Sequence, residues 1–425
     1  MRFTSLLHHI TPELLQASFF ELKKQAAPGI DGMTWDAYAV DFERRIADLH
    51  TRIHRDTYRA QPAKRGWIPT LDGQMRPLGI AALEDKIVQQ AVRTVLECIY
   101  EVDFRGFSYG FRPGRSGHRA LDALYMGICK QNVNWILDAD IRGFFDNIDH
   151  AWLLKFLEHR IADRRILRLV KKWLRAGVSE HGEWSPTKVG TPQGSVISPL
   201  LANVFLHYVL DLWMEAWRKR HAKGEVIIVR YADDFVMGFR EESAARRCLQ
   251  ALRERFAKFF GLELHPEKTR LIQFGSYAAE RRSERGLGPP ETFDFLGFTH
   301  ICGKTRKGDF TIRRISASKK LRNKLRELKE SLRRKMHNGP HGRRSLVVER
   351  VPGLVQLPRD PGQLRPPPPI PNSDPELWLG TLRRRSQRGR SLTWRKFSRL
   401  TRHWLPTPRI LHPYPAVRFS RLYPR

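Results

Sequence analysis

The stretch Glu225-Val-Ile-Ile-Val-Arg-Tyr-Ala-Asp-Asp-Phe-Val-Met-Gly-Phe239 decides the fold of this chain. Its β-branched and aromatic residues predict two short strands, Val226–Val229 and Phe235–Phe239, joined by a tight turn that carries Asp233 and Asp234. Two adjacent carboxylates between buried strands repel each other and lose hydration. A divalent cation removes that cost, because hard oxygen ligands are what Mg²⁺ prefers. The turn therefore predicts a metal site that needs a further carboxylate from elsewhere in the chain.

A second acidic pair lies in Asn134-Trp-Ile-Leu-Asp-Ala-Asp-Ile141, whose residue types predict a strand with Asp138 and Asp140 on one face. Charged residues inside an apolar strand are unusual. Asp140 and the two turn carboxylates fit two-metal phosphoryl transfer, in which bridging carboxylates hold two ions about 3.5–4 Å apart. The next aspartates along the chain, Asp146 and Asp149, are interpreted as helix caps.

The composition favours a polyanionic partner. The 425 residues exceed one typical domain, so two or three lobes are expected. A formal net charge of +32 and a pI near 10.6 favour nucleic acid as the partner. The longest apolar stretch, Pro199–Leu212, is interrupted by polar residues, and Met1–Ile10 has no apolar core, so neither a membrane span nor a signal peptide is expected. The 4 cysteines form no CxxC pair, which predicts no zinc finger and a reduced, cytoplasmic setting.

Basic residues concentrate towards the end of the sequence. Gly303–Lys335 contains 14 Lys or Arg against 3 acidic residues, on a predicted helix over Ser318–His337. Leu377–Arg425 contains 13 basic residues, no acidic residue and three interleaved tryptophans, a combination that favours nucleic-acid binding. Between these segments, Asn338–Glu376 is rich in proline and shows no periodicity.

Other segments predict helices and hairpins that frame these motifs. A helix is expected over Thr11–Gln25, with Thr11 as its cap and Pro12 at its first position. Leu71-Asp-Gly73 signals a β-hairpin. The remaining expected elements are helices near Asp36–His50, Glu84–Tyr100 and Glu242–Phe260, a long apolar helix that follows the Gly190–Gln193 turn, and a strand pair at Phe293–Phe298.

Taken in order, the motifs resemble those of group II intron-encoded reverse transcriptase/maturases. The resemblance covers roughly residues 10–337 in uninterrupted order. Its central motif is Tyr231-Ala-Asp-Asp234, which resembles the catalytic hairpin of reverse transcriptases. The other matching segments are Pro28–Trp35, Arg76–Ile80, Asp85–Gln89, Phe107–Ser116, Asp138–His150, Thr191–Asn203, His265–Thr269 and Phe293–Phe298.

The resemblance implies an α+β, right-hand polymerase fold with fingers, a palm of antiparallel sheet and helices, and a helical thumb or maturase region. The implied boundaries are residues 1–125 for the N-terminal and fingers region and 126–300 for the palm. Residues 301–376 would form the thumb/maturase region, and 377–425 a basic tail that binds RNA or DNA.

The resemblance also assigns roles to individual residues. It implies that Asp140, Asp233 and Asp234 hold two Mg²⁺ ions and that dNTPs are the substrates. For Phe144 and Phe145 the default expectation is burial in the core, whereas the resemblance makes Phe145 the bulky residue that excludes a 2′-hydroxyl. It further implies that Gln193 and Gly194 line the nucleotide pocket and that Arg76 binds the triphosphate. Lys268 would donate a proton to pyrophosphate, although the Pro-Glu-Lys-Thr turn that carries it can equally be structural. An intron RNA template and a DNA primer or target would be the partners.

The sequence departs from the family pattern in the fingers and in the thumb. The family commonly has a lysine where Thr70 stands, so Lys64 or Arg65 would have to replace it on the triphosphate. No zinc-containing endonuclease domain is expected, because no paired cysteines are present. In the thumb, codons permitted for Glu349–Arg359, read one nucleotide later, can spell the family-like segment Ser-Val-Tyr-Arg-Gly-Trp-Phe-Asn-Tyr-His-Ala. We therefore hypothesise two compensating frameshifts near residues 338–343 and 370–377; the alternative is a flexible linker.

Rival functions remain open at this point. The first is RNA-templated DNA synthesis, which the intact aspartates favour. The alternative is an RNA-binding maturase without effective polymerase activity, because of the damaged thumb. An RNA-templated RNA polymerase would share the palm aspartates, but Phe145 leaves no room for a 2′-hydroxyl. A host-defence or CRISPR-associated reverse transcriptase fits less well, because Pro28–Trp35 and the basic tail favour the intron type.

Overall fold

The computed structural model describes residues 1–69, 75–180, 182–187, 189–222, 224–305, 307–317, 326–327, 330, 393 and 414–422. The chain divides into two compact units. The first comprises Met1–Ala120 and Ile136–Leu271, and the second comprises Leu121–Trp135 and Ile272–Arg425. The expected boundaries between fingers, palm, thumb and tail stay predictions.

The described residues contain α-helices in both units. In chain order the α-helices are α1 Pro12–Glu21, α2 Trp35–Ala39, α3 Phe42–His54, α4 Leu83–Tyr100, α5 Gly117–Lys130, α6 His150–Glu158, α7 Arg164–Arg175, α8 Ser198–Leu206, α9 Leu212–His221, α10 Glu242–Arg255, α11 Ser276–Glu284 and α12 Pro415–Leu422. Short 3₁₀ turns cover Leu7–His9 and Phe144–Asp146, and π-helical turns cover His207–Asp211 and Phe256–Phe260. Among these described residues, no helix has the length and apolar character needed to cross a membrane.

The strands form three sheets among the described residues. They are β1 Ala63–Pro69, β2 Met75–Ile80, β3 Trp135–Asp140, β4 Val178–Glu180, β5 Glu183–Ser185, β6 Val226–Tyr231, β7 Asp234–Phe239, β8 Arg270–Gln273, β9 Phe293–Phe295, β10 Phe298–Lys304 and β11 Phe310–Ser316. The sheet orders are β2-β1-β4-β5, β6-β7-β3-β8 and β11-β10-β9.

Local signals fix the ends of several helices, as the sequence predicts. The Thr11 side chain accepts a hydrogen bond from the Leu14 amide at 3.2 Å, and Pro12 begins α1. Such a cap satisfies one of the amides that have no partner within the helix. Asp149 caps α6 in the same way, through the Trp152 amide at 2.8 Å. The capping predictions for Thr11 and Asp149 are confirmed.

The predicted hairpin in the fingers is also confirmed. β1 and β2 pair antiparallel from Lys64 opposite Ile80 to Pro69 opposite Met75. The connecting turn, which includes Thr70, lies outside the described residues. The glycine at position 79 has a packing role, since a Cβ there would lie 2.7 Å from the Cβ of Pro192.

The helix expected near Asp36–His50 is instead two helices, α2 and α3. Asp41, with φ −125° and ψ 43°, leaves the helical region between them. The break allows Phe42 and Trp35 to pack against the same ring, Phe19, with ring centroids 4.9 and 4.5 Å away. Tertiary packing therefore overrides the local helical pattern here.

The second unit contains the predicted strand pair at Phe293–Phe298, now seen as β9 and β10. Within this unit the nearly fully buried Asp122 of α5 accepts hydrogen bonds from Arg314 at 3.3 Å and from Arg418 of α12 at 2.6 Å. Outside the described residues lie Asn338–Glu376, most of the predicted helix Ser318–His337 and most of the basic tail.

Candidate active site

The turn between β6 and β7 presents the adjacent carboxylates of Asp233 and Asp234. Tyr231 pairs with Asp234 across the turn, and Ala232 adopts a positive φ of 59°. Gly110 lies directly against this turn, since a Cβ at position 110 would be 2.4 Å from the Ala232 nitrogen. Close backbone approach thus requires glycine at 110.

A fully buried ion pair lies behind this turn. Arg230 donates to Asp211 through Nε at 2.8 Å and Nη2 at 2.6 Å, and neither side chain is exposed. Its Nη1 donates to Asn203 Oδ1 and to the Ala232 carbonyl, each at 3.0 Å. Asn203 in turn donates to the Gly110 carbonyl at 2.8 Å. We call these four residues, Arg230, Asp211, Asn203 and Gly110, the turn-support network. Sequence reasoning missed it, although a lone arginine in an apolar strand signals a buried charge that needs a partner.

Asp140 ends β3, the strand beside β7 in the sheet order. The Lys268 ammonium donates to Asp140 Oδ2 at 3.0 Å, and the His265 amide donates to the Asp140 carbonyl at 2.8 Å. These bonds hold the Pro-Glu-Lys-Thr turn against the end of β3. On the same face of the strand, Asp138 forms an ion pair with Arg270 at 3.7 Å. The structure thus brings Lys268 to one of the three predicted carboxylates.

Burial and neighbouring negative charges raise the pKa values of Asp233 and Asp234. Burial, and then the negative charges of Asp138, Asp140 and Asp233, raise the pKa of Asp234 to about 8, while the Lys268 charge acts in the opposite direction. Burial also raises the pKa of Asp233, and the Asp140 charge adds to that effect. A like charge shifts a pKa only when it is close, so Asp140, Asp233 and Asp234 lie near one another in a single site.

The donor set fits a divalent cation by chemistry and charge. Asp140, Asp233 and Asp234 supply oxygen ligands, and ionisation of the buried pair is disfavoured unless positive charge is added. No group of three acidic, histidine or cysteine side chains in the described part of the chain is already arranged to enclose a metal ion. The Asp140 carboxylate is instead paired with Lys268.

The Phe145 backbone joins the 3₁₀ turn to the loop before α8. The Thr191 amide donates to the Phe145 carbonyl at 2.8 Å, and the Gly190 amide donates to the Ile148 carbonyl at 2.8 Å. Phe144 is 2% exposed and belongs to the core, whereas Phe145 is half-buried. The default expectation of burial is confirmed for Phe144 and wrong for Phe145, whose ring is left accessible beside this loop.

Gln193 and Gly194 dock against the fingers hairpin through their backbone. The Gly79 amide donates to the Gln193 carbonyl at 2.7 Å. Gly194 has a φ of +107°, and a Cβ there would lie 3.1 Å from the Gly79 carbonyl oxygen. Gln89 of α4, which sequence reasoning did not single out, accepts from the Ser195 hydroxyl at 2.8 Å. The loop is thus held on two sides, with the Gln193 side chain half-buried.

Arg76 is exposed on β2. Burial raises the pKa of Asp233 and of Asp146, and the positive charge of Arg76 acts in the opposite direction on both, so Arg76 lies within electrostatic reach of the turn that carries Asp233. Its role on the triphosphate stays a prediction. The charge of Arg65 also lowers the pKa of Asp146, although burial of Asp146 outweighs both arginines and raises it. The capping prediction for Asp146 is wrong, because this residue lies inside the 3₁₀ turn and the neighbouring Asp149 caps α6.

Comparison with known proteins gives consistent matches. Residues 63–300 match the family described as reverse transcriptase (RNA-dependent DNA polymerase). Protein YkfC of Escherichia coli is 30% identical over 359 residues, which cover 76% of this chain and 90% of that protein. The group II intron-encoded protein LtrA of Lactococcus lactis is 36% identical over 219 residues, covering 50% of this chain but only 36% of LtrA. An apo telomerase from Candida tropicalis aligns with a TM-score of 0.46 and 14% identity over 64% of this chain and 60% of that one.

Proposed function

Because this chain belongs to the reverse transcriptase (RNA-dependent DNA polymerase) family, we propose that it extends a DNA primer on an RNA template by two-metal nucleotidyl transfer. The observation that carries the proposal is the shared electrostatic site of Asp140, Asp233 and Asp234 on neighbouring strands. Half-buried carboxylates close to one another are costly for folding, and such groups are common at catalytic sites. Family membership implies a nucleic-acid partner, and we propose intron RNA and a DNA primer or target in the cytoplasm.

The three carboxylates would hold two Mg²⁺ ions. When bound, such ions activate the primer 3′-hydroxyl and neutralise charge on the leaving pyrophosphate. The turn-support network keeps the backbone that carries Asp233 and Asp234 in place. We propose that Lys268, whose ammonium lies 3.0 Å from Asp140 Oδ2, gives a proton to the pyrophosphate.

The nucleotide would lie between the fingers hairpin and the loop before α8. Arg76 suits the triphosphate, because a guanidinium binds phosphate in a bidentate manner and stays charged. Of Lys64 and Arg65, we propose that Arg65 takes the place of the family's lysine on the triphosphate. Its charge acts on Asp146, the carboxylate on which the charge of Arg76 also acts. The half-buried ring of Phe145 would lie under the sugar and exclude a 2′-hydroxyl, beside Gln193 and Gly194.

Asp233→Asn and Asp234→Asn test the proposal directly. We expect loss of primer extension on an RNA template with RNA affinity nearly unchanged, because binding is spread over the 76 Lys and Arg residues. The matched control is Asp36→Asn, which removes one carboxylate from an exposed position of α2. Primer extension and filter binding are measured on the same preparations. A parallel loss of extension and RNA binding would mean that the two aspartates are structural.

The second candidate is a maturase that binds intron RNA without effective polymerase activity. The proline-rich Asn338–Glu376 favours it, since such a sequence does not form thumb helices that grip a template–primer. Reading the coding DNA in the next frame across Glu349–Arg359 tests the frameshift hypothesis. An aromatic-rich helical pattern in that frame supports the frameshifts, and the absence of such a pattern supports the flexible linker instead. Stimulation of intron splicing by a wild-type chain that extends no primer would favour the maturase.

A further inference from the structure

A groove opens between α9 and α10, on helices that carry none of the proposed catalytic residues. Its volume is about 490 Å³. The wall on α9 includes Trp213 and Trp217, and the facing wall includes Arg247, Lys258 and Phe259. We call it the α9–α10 groove. Phe259 is 51% exposed, so a large apolar ring faces solvent in this groove, as is common at binding sites.

The floor of the α9–α10 groove is a fixed guanidinium. Arg255 donates from Nε to the Val209 carbonyl at 2.8 Å, a bond that anchors it to the π-helical turn. Its guanidinium carbon lies 5.7 Å from the Trp213 ring centroid and 5.2 Å from that of Phe260. Arg255 is thereby held as a flat, charged platform beside an indole ring, a geometry suited to stacking of a planar ligand.

The surroundings of the groove are cationic. The last turn of α9 contains Arg218, Lys219, Arg220 and His221. Over residues 212–221 and 242–260 there are 8 Lys or Arg against 3 Glu, one of which, Glu254, also lines the groove. An apolar peptide would leave this positive charge uncompensated, whereas a phosphate backbone neutralises it.

We propose that the α9–α10 groove binds single-stranded RNA, stacking an unpaired base against Trp213 and Phe259 while Arg247 and Lys258 contact the flanking phosphates. Aromatic rings combined with basic side chains are how proteins bind single strands without reading sequence. The inference rests on the proposed function only in taking RNA as the ligand. It gives the protein a second point of contact with a long RNA, separate from the carboxylate site.

The test is photo-crosslinking of a short, unstructured RNA of adenines and cytosines that carries one 5-iodouridine, on the full chain and without dNTPs. We expect crosslinked peptides that contain Trp213 or Phe259. Phe259→Ala should reduce their yield about fivefold or more, since stacking on an aromatic ring contributes about 1 kcal/mol at the lower end of its range. The matched control is Tyr277→Ala, which removes a 45% exposed ring from α11.

Charge is tested with Arg247→Glu against Lys171→Glu, a charge reversal at an exposed position of α7. Arg247→Glu should reduce crosslinking in the α9–α10 groove, and Lys171→Glu should not. Equal melting temperatures of the four variants establish that each is folded. An absence of crosslinked peptides that contain Trp213 or Phe259, while other peptides crosslink, overturns the inference and favours a protein partner for this groove.

Primer extension by the wild-type chain is measured separately, so that the two proposals can fail independently. Extension without groove crosslinks rejects the groove and leaves the polymerase proposal standing. Groove crosslinks without extension reject the polymerase proposal and support the groove as an RNA contact.

Discussion

Asp211→Leu is the most informative perturbation of the turn-support network. It leaves the Arg230 guanidinium buried, with 0% of the side chain exposed and its carboxylate partner removed. Removing one partner of a buried ion pair typically costs about 3–5 kcal/mol, because an uncompensated charge remains in the interior. We therefore expect the free energy of unfolding, measured by urea denaturation, to fall by that amount.

The double variant Asp211→Leu/Arg230→Met separates stability from positioning. Replacing both charges by apolar side chains is often neutral or better, so we expect at least about 2 kcal/mol of the loss to return. Primer extension should stay low, because Arg230 Nη1 also holds the Ala232 carbonyl at 3.0 Å, next to Asp233 and Asp234, which we propose to be catalytic. The assay is kcat and KM for dNTP alongside the urea curves, and we expect the loss mainly in kcat.

Two results would refute this reasoning. If the double variant regains both stability and kcat, the turn-support network compensates charge but does not position the turn. If Asp211→Leu alone changes the free energy of unfolding by less than about 0.5 kcal/mol, as ordinary surface substitutions do, the ion pair does not act as a buried pair.

Three further predictions follow from individual residues. The pKa of Asp234 is raised from its ordinary 3.8 to about 8, so in protein free of divalent cations the stability of the wild type should fall as pH rises between these values. Asp234→Asn should flatten this fall, which is measured as melting temperature against pH. An unchanged pH profile contradicts the raised pKa. Phe145→Ala should lower the ratio of kcat/KM for dNTP over rNTP about tenfold or more, and an unchanged ratio removes Phe145 from this role. Burial alone would raise the pKa of Asp163, but hydrogen bonds from the amides of Leu6 and Leu7 lower it to about 2. Asp163→Asn should therefore lower the free energy of unfolding by about 1–2 kcal/mol at neutral pH. This loss relative to the wild type should disappear as pH falls from 3.8 towards 2, and a loss that stays constant with pH would contradict the reasoning.

The sequence by itself determined the features that depend on local physics. Runs of β-branched and aromatic residues identified β6 and β7, and the observed strands are only slightly longer than predicted. Capping at Thr11 and Asp149 was predictable because the bonds span only three residues. The acidic residues of the candidate site were also predictable, since a carboxylate in an apolar strand stands out against its neighbours.

Tertiary structure alone decided which distant residues meet. Lys268 reaches Asp140 across 128 positions, and Asn203 reaches Gly110 across 93, so neither pairing has a local sequence signal. The break in the helix before Phe42 follows from ring packing around Phe19, which outweighs helix propensity. The charge on Arg230 could be identified from the sequence, but its partner could not. Any acidic residue can compensate a buried guanidinium, and only the path of the folded chain brings Asp211 to it.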